Sequence, residues 1–121
     1  MRVFSFHYHL KSVFFFTVLV CFSNELLSRE IIIKYRRDAV DISSNFAEYD
    51  LQESSLVKEL FFDSENQYLI VRLKQHFYHY CGVRDEVVND WINSESLGAY
   101  YLAKIKTNYD CRIKTVPNYI D

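Results

Sequence analysis

The stretch from Gln67 to Cys81, QYLIVRLKQHFYHYC, limits what this chain can fold into, because period-two alternation runs on both sides of a short polar break. Leu69, Val71 and Leu73 alternate with Ile70, Arg72 and Lys74. After the break, His76, Tyr78 and Tyr80 alternate with Phe77, His79 and Cys81. Alternation rich in aromatic and β-branched side chains predicts a β-hairpin. With Lys74-Gln75 as a two-residue loop, Leu73 opposes His76, Val71 opposes Tyr78 and Leu69 opposes Tyr80, so these six share one face.

The strands need a core, and 121 residues, half apolar and 17% aromatic, supply material for one domain. Two Gly and one Pro exclude collagen-like and linker-rich classes. A formal charge of −2 gives no global pull towards polyanions, so nucleic-acid binding would require a local patch.

Residues 1–23 differ from the rest. They carry Arg2 and Lys11, no acidic residue, and the start of an uncharged run from Ser12 to Asn24, with small residues Cys21 and Ser23 near its end. This is the pattern of a secretory signal peptide cleaved after Ser23. The alternatives are a buried N-terminal helix or an uncleaved membrane tether, and the strongly apolar part falls short of the roughly 20 residues that a membrane span needs. Val18-Leu19-Val20 before Cys21 lacks the small residue of a lipoprotein processing site, so lipidation is not expected. Cleavage leaves 12 basic against 16 acidic residues, a net charge of −4. It also removes Cys21 and leaves Cys81 and Cys111, an even pair expected to form a disulfide in a periplasmic or secreted chain.

Residues 24–53 form an N-terminal extension read as one short strand, Ile31-Ile32-Ile33, and a loop. Its basic trio Lys34, Arg36 and Arg37 is a candidate ligand-binding group. Asp38 and Asp41 follow closely, and a charge run of this length is ordinarily solvated surface. Leu56 to Asp63 (LVKELFFD) predicts a strand closed by the turn-forming Asp63-Ser64-Glu65-Asn66. Past Gly82 the period changes: Val87, Val88, Trp91 and Ile92 recur at helical spacing behind Asp85 and Glu86, predicting a helix over 84–93. Ser96 reads as the N-cap of a second helix, running to about Lys106 and presenting Leu97, Tyr101 and Ile105 on one face. The expected fold is therefore α+β, a three-stranded antiparallel meander followed by two helices packed on one face. Residues 110–121 form a tail with Pro117 as its landmark.

Several of these residues fall into a familiar arrangement. Ser54-Ser55 opens it, followed by Phe62-Asp63, Leu69-x-Val71-x-Leu73, the central Tyr78-x-Tyr80, Val83, Ser96-x-Gly98, Tyr100-Tyr101 and Ile105. Residues 54–109 thereby resemble the KTSC family, a short domain named for the C-terminal region of some lysyl-tRNA synthetases and found alone in small bacterial proteins. Two departures stand out: Lys74-Gln75 replaces the usual hairpin glycine, and Val83-Arg84 replaces Val-Pro. The resemblance implies a shared fold; for function it implies only a suggested RNA binding.

Tyr78 and Tyr80 lie on the face of Leu69, Val71 and Leu73, where an aromatic stripe at strand spacing serves core packing beneath the helices. The other face carries Tyr68, Arg72, Phe77 and His79. Left open, that mixture would suit stacking of single-stranded bases. The alternative, favoured because an exposed apolar patch requires a partner, is that Ile31 to Ile33 cover it. His79, Cys81 and Cys111 match no zinc-ligand spacing, so no metal or other cofactor is expected. No spacing of Ser54, Ser55, His76, His79 and the acids forces nucleophile, base and orienter together, so no enzyme is expected. The expectation is a non-enzymatic binding module with a protein partner; single-stranded nucleic acid on the sheet face is the runner-up, and hydrolysis a distant third.

Overall fold

The computed structural model describes residues 28–113 and 116–120. The signal-like segment 1–23 and the first residues of the extension lie outside them. Among the described residues no helix is long and apolar enough to cross a membrane.

The expected hairpin forms as β5 (Tyr68–Leu73) and β6 (His76–Cys81). Its register pairs Leu73 with His76, Val71 with Tyr78 and Leu69 with Tyr80. β4 (Val57–Asp63) pairs antiparallel with β5, so the meander is present. It is part of a larger assembly, because β3 (Ala47–Glu48) adds a fourth strand to the sheet, in the order β3-β4-β5-β6. A separate antiparallel pair, β1 (Glu30–Ile32) with β2 (Ala39–Asp41), replaces the single strand and loop expected in the extension. Elements of two and three residues are too short to set up a recognisable period, and β2 follows Asp38 and ends on Asp41 in a segment that reads as polar loop.

Two helical segments follow. α1 (Asp85–Ile92) starts with both acids in its first turn. α2 (Leu97–Tyr100) is capped by Ser96, whose hydroxyl accepts the Ala99 N–H at 3.1 Å, and it passes into a π-helical turn over Tyr101–Ile105. Alternation along the strands divides the core in two. Leu60, Phe62, Leu69, Val71 and Tyr80 meet Trp91, Leu97, Tyr101 and Ile105 on the helical side. Trp91 is fully buried, donates its indole N–H to the Leu97 carbonyl at 2.9 Å and stacks on Tyr100 and Tyr101.

On the reverse side, Phe61, Tyr68 and Ile70 lie beneath Ile31, Ile33, Val40, Ile42 and Ile120. The expected cover is thus present through Ile31 and Ile33, whereas Ile32 faces solvent, and a short 3-10 turn, Asn118–Ile120, extends the cover. With both faces buried, the central strand reads as a nearly continuous apolar run. Ile33 bridges Phe77 in parallel, and the Lys34 N–H donates to the Phe77 carbonyl at 2.8 Å. Cys81 and Cys111 are joined as a disulfide, with Cα atoms 4.9 Å apart. Beside it, the Cys81 N–H donates to the Tyr109 carbonyl at 2.9 Å.

Candidate functional site

β6 is the last strand of its sheet, and its free edge is only partly occupied. The Lys34 segment covers it at Phe77 and Tyr109 covers it at Cys81. Between these two points lies a cleft of about 780 Å³, within the size range of small-ligand sites. Lys34, Arg36, Lys106 and Arg112 supply four cations to its walls against one carboxylate, Asp110. The local charge is +3 with His79 neutral, the reverse of the chain's net charge.

Each charge has its own neighbours. Asp110 accepts hydrogen bonds from the Arg112 side chain and backbone, and these hold its carboxyl down to about 2. Arg112 is therefore already compensated. Lys34 Nζ donates to the Tyr78 hydroxyl at 3.3 Å and sits 5.1 Å from the Tyr35 ring centroid and 5.6 Å from that of Tyr78. Those hydroxyls, Tyr78 first, raise the lysine above its ordinary value and keep it charged. Arg36 donates through Nη2 to the Ile120 carbonyl at 2.8 Å, and its buried Nε has no hydrogen-bond partner among the described residues. Nor does any carboxylate pair with Lys34, Arg36 or Lys106 among those residues. A buried donor of this kind calls for an explanation, a bound anion or water being the ordinary ones.

His79 is lowered from its usual value, chiefly by burial and then by the nearby Arg36 charge, with Asp110 opposing. Nδ1 lies 2.8 Å from the Tyr68 hydroxyl, and the ring tautomer decides which of the two donates. Burial raises Tyr68 and keeps its hydroxyl protonated, able to donate or to accept.

The sequence-derived candidates separate in space. Lys34, Arg36, His79, Tyr78 and Tyr80 meet at the cleft. Tyr68 and Phe77 instead pack beneath the N-terminal cover, with Tyr68 edge-on to Phe46, Tyr119 and the His79 ring. Arg72 belongs to an ion-pair network away from the cleft: it bonds Glu59, which also pairs with Arg29 at 2.8 Å, and Arg29 reaches Glu48 at 2.9 Å. Arg37 is exposed and lines no part of the cleft.

The motif residues have structural positions. The Ser54 hydroxyl accepts from the Leu56 and Val57 N–H groups at 3.2 and 3.1 Å, shaping the entry to β4; Ser55 is exposed. Gly98 packs close to Leu56 and Ser54. Asp63, a buried acid, accepts from Asn66 at 2.8 Å and from the Tyr119 hydroxyl. Tyr80 and Tyr101 share a 2.6 Å hydroxyl contact. Among the described residues no group of three or more His, Cys, Asp or Glu side chains is placed to hold a metal ion.

Residues 53–109 match the family model described as the KTSC domain. The chain contains a KTSC domain. Among solved structures, a KTSC domain protein from Yersinia pestis is similar at 23% identity and a TM-score of 0.49, over 53% of this chain and 93% of that one. No curated protein matches the chain.

The KTSC domain supplies β4–β6 and both helical segments, whereas the cleft also needs residues on either side of it, Lys34 to Arg36 and Asp110 to Arg112. Tyr35, Lys106, Asp110 and Arg112 were not among the sequence-derived candidates. Tyr35 could have been found only through its place inside the basic trio. Its distinguishing features, 89% exposure and a φ of 70°, are conformational. A bulky residue at positive φ is an outlier, and such strain concentrates at binding sites.

Proposed function

We propose that this protein is an exported, non-enzymatic binding module whose ligand carries an oxyanion and docks in the cleft along β6. The observation that carries the reading is the convergence on one cleft of three cations, Lys34, Arg36 and Lys106, without carboxylate partners among the described residues. The engagement of Asp110 by Arg112 and of His79 by Tyr68 supports a binding role, since it leaves no free acid–base pair there among the described residues. Export rests on the signal-like segment 1–23, with the Cys81–Cys111 disulfide in support.

Titrating the full chain with acetate and with inorganic phosphate, followed by amide NMR shifts, tests the site. Shifts should localise to Lys34–Arg36, His79 and Lys106 and weaken in Lys34→Gln and Lys106→Gln. Shifts scattered over the surface, or none, overturn the reading. Fractionating cells that express a C-terminally tagged chain tests export; a cytosolic product beginning at Met1 refutes it.

Single-stranded nucleic acid is the second reading, favoured by the two tyrosine rings that flank Lys34. It would use the β6 edge, because the sheet face bearing Tyr68 and Phe77 is covered. Binding that falls steeply between low and moderate salt and is lost in Tyr35→Ala would install it.

A further inference from the structure

The edge of β6 narrows the choice of oxyanion. Phe77 and Cys81 point their backbone groups away from β5, where the Lys34 and Tyr109 segments meet them. Backbone direction repeats every second residue along an antiparallel strand, so the N–H and C=O of His79, midway between, point outward too. They have no backbone or side-chain partner among the described residues, and His79 lines the cleft. One donor and one acceptor thus stand unpaired in a gap closed at both ends.

We infer that the cleft takes the carboxy-terminal end of a polypeptide, its free carboxylate held by Lys34, Arg36 and Lys106 and its last peptide groups pairing with the backbone of His79. The inference rests on the oxyanion reading above and names the ligand class.

Three features support it. The first is the donor–acceptor pair: a small carboxylate would take the His79 N–H but would offer nothing to the adjacent carbonyl, and a free phosphate would offer it only a P–OH. A peptide terminus carries an N–H on the same residue as its carboxylate and can serve both. The second is length. From Phe77 to Cys81 the edge runs about 13 Å at strand rise, room for the last two or three residues of a chain. A strand that continued through would collide with the Lys34 segment at one end or with Tyr109 at the other. The site therefore suits a chain end rather than an internal segment. The third is charge: cations with no carboxylate partner among the described residues select the carboxylate end over the amino end. Tyr35, exposed at the rim, supplies an apolar surface for the terminal side chain.

The test uses the full chain and a panel of fluorescein-labelled pentapeptides that differ only in the last residue, each made as free acid and as C-terminal amide. Binding is read by anisotropy and by the His79 amide shift. Members of the free-acid set should bind, and their amides should bind about ten- to a hundredfold more weakly, the worth of a charge-assisted hydrogen bond. Lys34→Gln should weaken the free acids and leave the amides unchanged. N-methylation should weaken binding about fivefold at the one amide that meets the His79 carbonyl and at no other. Equal binding of acids and amides, or no binding by any peptide, overturns the inference. If acetate or phosphate shifts the cleft while the peptides do not, the oxyanion reading stands and this inference fails. If no anion shifts it, both fail. An oligonucleotide that binds more tightly than every peptide and displaces them overturns the inference in favour of nucleic acid.

Discussion

Breaking the Cys81–Cys111 disulfide should cost this protein a large part of its stability, and the size follows from the loop that it closes. The two cysteines are 30 residues apart in sequence. Closing a loop of that length removes unfolded-state entropy worth about 3.5–4 kcal/mol in the chain-entropy model. Native geometry at the bridge does not rest on the bond alone, because the Cys81 N–H still donates to Tyr109 and Cys81 stays buried against the reverse-side cluster. Reduction therefore acts mainly on the unfolded chain. Small domains have only about 5–15 kcal/mol in total, so the reduced protein should remain folded near room temperature with little margin. At about 4–8 °C per kcal/mol, the melting temperature should fall by about 15–30 °C. The assay is urea unfolding of the full chain with and without dithiothreitol, with alkylation and mass measurement counting free thiols. The midpoint should drop on reduction, and the slope should rise as the released chain exposes more surface. An unchanged midpoint in a sample with both thiols verified free would refute the reasoning, as would two free thiols in non-reduced protein.

Lys74 holds a φ of 56° at the first loop position between β5 and β6. Lys74→Gly should raise stability by about 0.5–1 kcal/mol, the strain relieved less the entropy that glycine loses on folding; a lower urea midpoint would contradict this. Trp91→Ala should cost about 3–5 kcal/mol through the cavity left between α1 and Tyr100–Tyr101, and unchanged melting would refute the helical-side packing. His79 is held below its unfolded value of about 6.5, so the unfolded chain takes up the proton first. Stability should fall as pH drops below about 6.5, by at most about 1.4 kcal/mol per pH unit, and level off below the folded value. Arg36 reinforces the effect, Asp110 opposes it, and a protonated ring requires the Tyr68 hydroxyl as acceptor. His79→Gln should flatten the profile between pH 7.5 and 5.5; an unchanged slope would assign it to other groups.

The hairpin register was legible because a two-residue break between alternating runs allows only one pairing with both apolar sets on one side. The helices were legible from Val87, Val88, Trp91 and Ile92, and the second from its Ser96 cap. The π-helical turn over Tyr101–Ile105 was not, since its side-chain spacing departs from the α period only across a single turn. β2 and β3 escaped because two or three residues carry no period. The candidate site was half legible. Lys34 and Arg36 stood out as cations, but nothing local told them from Arg37, which lines no part of the cleft. What joins them to His79 and Lys106 is the bridge between Ile33 and Phe77, a contact across 44 residues. Arg72 misled for a related reason: its partner Glu59 lies on the neighbouring strand, and no spacing along the sequence announces that pairing.

The two sides of the sheet also differ in when they can be completed. The helical side is assembled from elements that follow one another directly, β4 to Ile105, so its contacts become available soon after those residues emerge. The reverse side joins Ile33 to Phe77 and Arg36 to Ile120, the latter across 84 residues. Its first strand is synthesised before the sheet it covers, and its last turn, Asn118–Ile120, arrives only after both helical segments. Until residue 120 is out, Phe61, Tyr68 and Ile70 form an apolar surface with only part of its cover. A half-made copy is thus a sticky one, exposed to mispairing for as long as synthesis is stalled short of Tyr119 and Ile120.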